Sequence, residues 1–176
     1  MGLPMADGFT AKVDLSDVLL RLDRLGDKGV SLASRMAVSG GREIRDEAKL
    51  QVTESDPPYN PISRGSQQPG TLRDAIYLAK NDDLTTASMI VYSISWNAKK
   101  AWWGKLKEFG WTQTHKIAYV EGADYFITTD ELLAEPIRHP AQPFLASAYE
   151  ISISRAYSAM IERGRKELPN LLREAQ

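Results

Sequence analysis

Residues 70–95 read GTLRDAIYLAKNDDLTTASMIVYSIS, and the change of pattern within them decides the class of fold. Residues 75–79 (AIYLA) and 84–95 (LTTASMIVYSIS) are rich in β-branched and aromatic side chains, and Ile90, Tyr92 and Ile94 alternate onto one face. Asn81, Asp82 and Asp83 lie between them, and short Asx side chains favour turns by bonding their own backbone. The pair predicts an antiparallel hairpin in a chain whose flanks read as helix.

Upstream, Leu15, Val18, Leu19, Leu22 and Leu25 recur at steps of three and four, predicting a first helix over 14–25 capped by Asp14. A second helical stripe runs through Val30, Ala33, Ala37, Ile44 and Ala48 to about Val52. Gly40 and Gly41 fall inside it, so a bend or close packing against another element is expected there. Residues 53–70, TESDPPYNPISRGSQQPG, hold four prolines and two glycines and almost nothing apolar. They read equally as a surface loop without fixed structure or as an arm that orders against a neighbour.

Downstream, residues 99–109 (KKAWWGKLKEF) predict a helix with Trp102, Leu106 and Phe109 on one face and Gly110 as its stop. Residues 117–120 and 124–127 predict two short strands around Glu121-Gly122. Thr128 with Glu131 suggests a capping box and a helical turn through Leu133. Pro143 suits the first turn of a last helix with Phe144, Ala148, Ile151, Tyr157 and Met160 inward, ended by Pro169. The expected class is therefore α+β: long helices at both ends packed on a small, mostly antiparallel sheet. One domain is expected over 1–176, with a helical part to 52, the Pro/Gly-rich arm, and a mixed body from 71.

Composition narrows the function. The 176 residues carry 22 Lys+Arg against 23 Asp+Glu and no cysteine, so thiolate metal sites, disulfides and thiol nucleophiles are excluded. A net charge of −1 gives no overall attraction to nucleic acid or to an anionic membrane. The first residues lack the basic start and apolar stretch of a secretory signal, and no apolar run approaches the roughly 20 residues of a membrane span. His115 and His139 match no zinc motif, no Gly-x-Ser-x-Gly elbow or phosphate loop occurs, and the acids Glu121, Asp124, Asp130, Glu131 and Glu135 lack EF-hand spacing. Neither an enzyme nor a cofactor is expected. Residues 96–116 interleave five lysines with four tryptophans, which allows a second reading: an accessory protein stacking and neutralising nucleic acid. Tryptophan is also what protein interfaces bury.

Three motifs in order carry a resemblance. Gly70-Thr71-Leu72-Arg73-Asp74-Ala75-Ile76 precedes the hairpin, Ala101 to Gly110 includes Lys105-Leu106-Lys107-Glu108-Phe109-Gly110, and Ala141-Gln142-Pro143-Phe144-Leu145 opens the last helix. The series resembles the HK97 gp10-like family of tailed-bacteriophage tail-completion proteins. Trp111 stands where the family usually has Thr, and Ala146-Ser147-Ala148 where it has Arg-Pro-Ala. The resemblance implies a virion protein of the head–tail junction, made in the host bacterial cytoplasm. It also implies a ring, taken as six copies, between a tail-terminator or tail-tube protein and a head-side connector, with DNA passing through unread and no membrane contact.

Two groups of residues follow. Gly70, Leu72, Glu108, Phe109, Gly110, Gln142, Pro143 and Phe144 are expected to determine the fold, with Phe109 plugging the core. Pro57, Pro58, Tyr59, Arg64, Trp102, Trp103, Lys105 and Trp111 are expected to meet partners.

Overall fold

The computed structural model of the chain describes residues 26–52, 70–86, 89–120 and 125–174. The expected helix over 14–25 and the arm, with Pro57, Pro58, Tyr59 and Arg64, lie outside these residues. In chain order the elements are α1 (Asp27–Gln51), α2 (Thr71–Ala75), β1 (Ile76–Lys80), β2 (Tyr92–Trp96), α3 (Gly104–Phe109), β3 (Trp111–Val120), β4 (Tyr125–His139) and α4 (Phe144–Glu174). The class is α+β, with the antiparallel pairing divided between two ladders, β1–β2 and β3–β4.

The two long helices form the frame. On α1 the buried positions Gly29, Leu32, Ala33, Met36, Ala37, Gly40, Ile44 and Ala48 keep helical spacing. On α4 the inward row is Leu145, Ala148, Ser152, Ala156, Met160 and Gly164, mostly small residues every fourth position. A Cβ on Gly40 would lie 2.6 Å from the Met160 Cγ and 3.0 Å from the Ala156 carbonyl, while one on Gly164 would lie 3.0 Å from the Met36 Cε. Each helix thus receives a methionine of the other against a glycine. Arg155 reaches Glu47, and Arg35 and Arg163 both reach Glu167. In these pairs the number rises along α1 as it falls along α4, so the helices run antiparallel. Gly40 and Gly41 therefore mark close packing: Gly40 faces α4, and Gly41 faces Leu78 of β1.

The β1–β2 ladder lies on this pair, with Ile76 opposite Trp96 and Leu78 opposite Ile94. Ile76, Ile94, Trp96, Phe144, Leu145 and Ile44 share the main core, and Trp96 meets the Phe144 ring edge-on at 5.7 Å. The hairpin differs from expectation in its connection. Ala75 closes α2, and β2 starts only at Tyr92. Asn81, nearly buried, explains the longer route. Its Nδ2 donates to the Ser93 hydroxyl at 3.1 Å, its Oδ1 accepts from the Leu84 amide at 3.2 Å, and its carbonyl accepts from the Thr85 hydroxyl at 2.6 Å. These bonds bend the chain locally before it can pair.

Three further corrections concern the C-terminal half. Thr128 to Leu133 is strand: Glu131 bridges across the ladder to Lys116 at 2.7 Å instead of reaching back to its own backbone, and the Thr129 hydroxyl donates to the Lys116 carbonyl. Ile151 and Tyr157 of α4 are exposed, because the inward row keeps a strict four-residue step through Ala148, Ser152 and Ala156. Pro169 lies within α4 and does not end it. Both Pro169 and Arg165 are on the exposed side, so the carbonyl deprived of its amide partner faces solvent.

Two outcomes follow from the close packing at Gly40 and Gly41. Gly40→Ala should destabilise the protein by about 1–3 kcal/mol in chemical denaturation, since the added methyl meets backbone. Gly41→Ala should stay within about 1 kcal/mol, because the mobile end of Leu78 can yield and helix propensity improves. The Glu47 carboxyl is held below its ordinary value of 4.5 by the Gln51 side-chain hydrogen bond and then by Arg155, against desolvation that opposes both. A depressed folded value means this contribution is complete above the ordinary pKa and is lost as pH falls through the lower one. Acid unfolding of Glu47→Gln should therefore differ from wild type near neutrality and converge with it at the acid end.

Candidate functional site

The second and third motifs meet at one junction, below the N-terminus of α4. A helix start leaves backbone N–H groups without intrahelical acceptors. The sequence before Phe144 is Ala141-Gln142-Pro143, with no Ser, Thr, Asp or Asn at the capping position. Glu108, 36 residues earlier, supplies the acceptor. Its Oε2 accepts from the amides of Phe144 (2.8 Å) and Leu145 (3.0 Å), and its Oε1 from that of Ala146 (3.1 Å). The side chain is buried, and the positive end of the α4 dipole favours its charge. The Gln142 backbone N–H donates a hydrogen bond to the Lys107 carbonyl at 2.7 Å, which ties the same two segments by backbone.

Gly110 completes the junction. Its φ of 71° is one that side-chain-bearing residues resist, and a Cβ there would sit 2.7 Å from the His139 carbonyl and 2.8 Å from the Ala141 amide. The end of α3 thus crosses the chain leaving β4 at backbone contact. Phe109 corrects expectation: it is 54% exposed, and Glu108 occupies the inward position. With α3 only six residues long, the side chain aimed at the start of α4 and its neighbour around the helix cannot both face inward. Gly70 begins α2 in a left-handed conformation, Leu72 is in the core, Pro143 and Gln142 are exposed beside the junction, and Phe144 is fully buried.

From this junction a ribbon projects. β3 and β4 pair in register from Trp111 opposite His139 to Val120 opposite Tyr125, with irregularities on either side of His115. Ten residues of strand span about 33 Å, and among the described residues the ribbon makes no extensive contact with α1, α4 or the β1–β2 ladder. Its base is closed by the Trp111 and His139 rings, stacked at 4.1 Å and 7°. Alternation along β3 puts Trp111, Gln113, His115, Ile117 and Tyr119 on one face, and Ile137 and Leu132 join it as the partners of Gln113 and His115 across the register shifts, opposite the face carrying Thr112, Lys116 and Arg138. Ile117, Tyr119, Leu132 and Ile137 are 48%, 49%, 67% and 48% exposed. Covering them would gain on the order of 4 kcal/mol from apolar burial. A two-stranded ribbon without a covered face is marginal alone.

The basic aromatic segment forms a platform beside the junction. Asn97 shapes it, its Oδ1 accepting from the amides of Lys99 (3.0 Å) and Lys100 (3.3 Å) while its own amide donates to the Ala75 carbonyl (2.9 Å). Lys99, Lys100 and Lys105 are exposed, as is Trp102, which meets Trp103 edge-on at 6.3 Å. Trp103 is half-buried against the core. Partial burial pushes the Lys107 ammonium below its ordinary pKa. Of the expected interface residues outside the arm, Trp102, Trp103 and Lys105 lie together on the platform, and Trp111 sits at the base of the ribbon.

The histidines are used within the ribbon. His115 Nδ1 pairs with the Thr114 hydroxyl at 2.9 Å, and His139 Nε2 lies 3.4 Å from the Gln113 Oε1. No cluster of three potential metal ligands occurs among the described residues. Among them, too, no helix is long and apolar enough to cross a membrane. No family model, curated protein or solved structure matches the chain.

Glu108 is among the residues expected to determine the fold, and the buried role expected of Phe109 is the one Glu108 holds. The usable signal was the missing cap before Phe144. Glu108→Ala strands three amides, so a loss of about 3 kcal/mol or more is expected in thermal or denaturant unfolding. Phe109→Ala should cost under about 1 kcal/mol, and the reverse ranking would contradict the junction described here.

Proposed function

We propose that the chain is a non-enzymatic structural protein of a tailed phage or prophage, a tail-completion or neck component that packs as a ring at the top of the tail. The observation that carries this reading is the projecting ribbon, whose apolar face has no cover within the described residues. Exposed apolar surface of this kind belongs to interaction sites. The motif resemblance supplies the phage context. The second and third motifs interlock through Glu108 and Gly110, so these residues serve the fold. Head-to-tail contacts that close by rotation would build the ring, taken as six copies. Its partners are a tail-terminator or tail-tube protein on one side and a head-side connector on the other, and DNA passes through without being read.

The nucleic-acid reading is less well supported. Trp96 is committed to the core and Trp111 to its stack on His139, which leaves Trp102 and Trp103 as the only tryptophans on the lysine platform. The direct test is to image phage particles made with and without this chain. Tails assembled without it should accumulate unjoined to heads, and restoring it should add ring density at the tail end. Normal joining in its absence would overturn the proposal.

A further inference from the structure

Charge is segregated within this nearly neutral chain. Residues 111–139 carry five acids (Glu121, Asp124, Asp130, Glu131 and Glu135) against Lys116 and Arg138. Residues 97–107 carry four lysines and no acid. On the ribbon Asp130, Glu131 and Glu135 are exposed, close in sequence to the exposed Leu132 and Ile137. On the platform Lys99 and Lys100 are exposed together with Trp102, and Phe109 is exposed at the end of α3. Among the described residues each surface thus combines exposed apolar side chains with an excess of charge of one sign, and the two signs are opposite. The ribbon leaves α3 directly through Gly110 and runs about 33 Å outward, so its far half lies away from its own platform.

We propose that the apolar, acidic ribbon of one copy docks on the lysine–tryptophan platform of the next copy. Ile117, Tyr119, Leu132 and Ile137 cover Trp102 and Phe109, while Asp130 and Glu135 approach Lys99 and Lys100. The contact is head-to-tail: a copy that gives its ribbon to one neighbour still has its platform free for another, so the contact propagates and can close into a ring. It deepens the assembly reading and rests on it for its biological setting.

The absence of cysteine makes a cross-linking test clean. Full-length Leu132→Cys and Trp102→Cys, carrying tags of different mass, are mixed and treated with a short bis-maleimide. Both positions are exposed, so each variant should keep the wild-type circular dichroism. The mixed product should dominate both homodimers. Dominance of the Leu132→Cys homodimer, which means ribbons face each other, overturns the proposal, as does absence of any cross-link.

A second arm uses charge. Asp130→Lys with Glu135→Lys leaves the Lys116–Glu131 pair intact. This double variant, and separately Lys99→Glu with Lys100→Glu, should each weaken self-association in sedimentation by about tenfold or more, and the mixture should recover it. Folded variants that associate normally, or that fail to recover when mixed, overturn the contact. So does a wild-type chain that stays monomeric at high concentration. If that monomer still completes tails, only the docking contact fails. If the ribbon contact holds but tails join heads without the protein, the assembly function fails and the contact stands.

Discussion

The structure depends on a carboxylate placed under the start of a helix. α4 is the longest element and supplies half of the principal helix pair, yet its own sequence provides no cap. Glu108 brings one from α3 and satisfies three amides at once. That single side chain fixes where α3 ends relative to α4. Gly110, in the backbone crossing beside it, then fixes the direction in which β3 departs. The ribbon's projection is therefore set at the junction, since among the described residues the ribbon has few contacts with the body. Net stabilities are small, about 5–15 kcal/mol, so a junction worth about 3 kcal/mol carries a large share of the whole.

The two ends of α4 obey different physics. Near Phe144 it is held by charge-assisted bonds and by the Trp96 ring, whereas farther along it is held by the exchange of methionine and glycine with α1. Met36 against Gly164 and Met160 against Gly40 fit because the thioether side chain is unbranched and adapts to a shallow surface. This seam needs no polar specificity, and the ion pairs Arg155–Glu47 and Arg35–Glu167 sit at its borders.

The two long helices α1 and α4 and the α+β class were legible because periodicity is local, whereas the helix expected over 99–109 begins only at Gly104. The stripe through Val30, Ala33, Ala37, Ile44 and Ala48 lies on α1, and the turn at Gly110 is where the glycine suggested. Val30 itself is about half exposed, so the stripe was broader than the buried face. What local pattern could not carry was any choice made by a distant partner. Glu108 rather than Phe109 faces inward because of amides 36 or more residues away. Thr128 and Glu131 match a capping box, yet β3 offers them a ladder. Ile151 and Tyr157 look like core residues by hydrophobicity, but the four-residue step of small side chains rotates them outward. Of the candidate site, composition revealed the lysine–tryptophan platform. The apolar face of the ribbon stayed hidden because its second strand read partly as a helical turn.

Under the proposed assembly, the ribbon, whose apolar side chains are exposed among the described residues, gains its full stability only when a neighbour covers it. Amide hydrogen exchange on the isolated and the assembled protein measures this directly, since protection reports local opening. In the isolated chain, amides of 111–120 and 125–139 should exchange far faster than those of 144–160. On assembly the ribbon should become protected while the helix changes little. A ribbon as protected as α4 in the isolated chain, or one unchanged on assembly, would contradict the account.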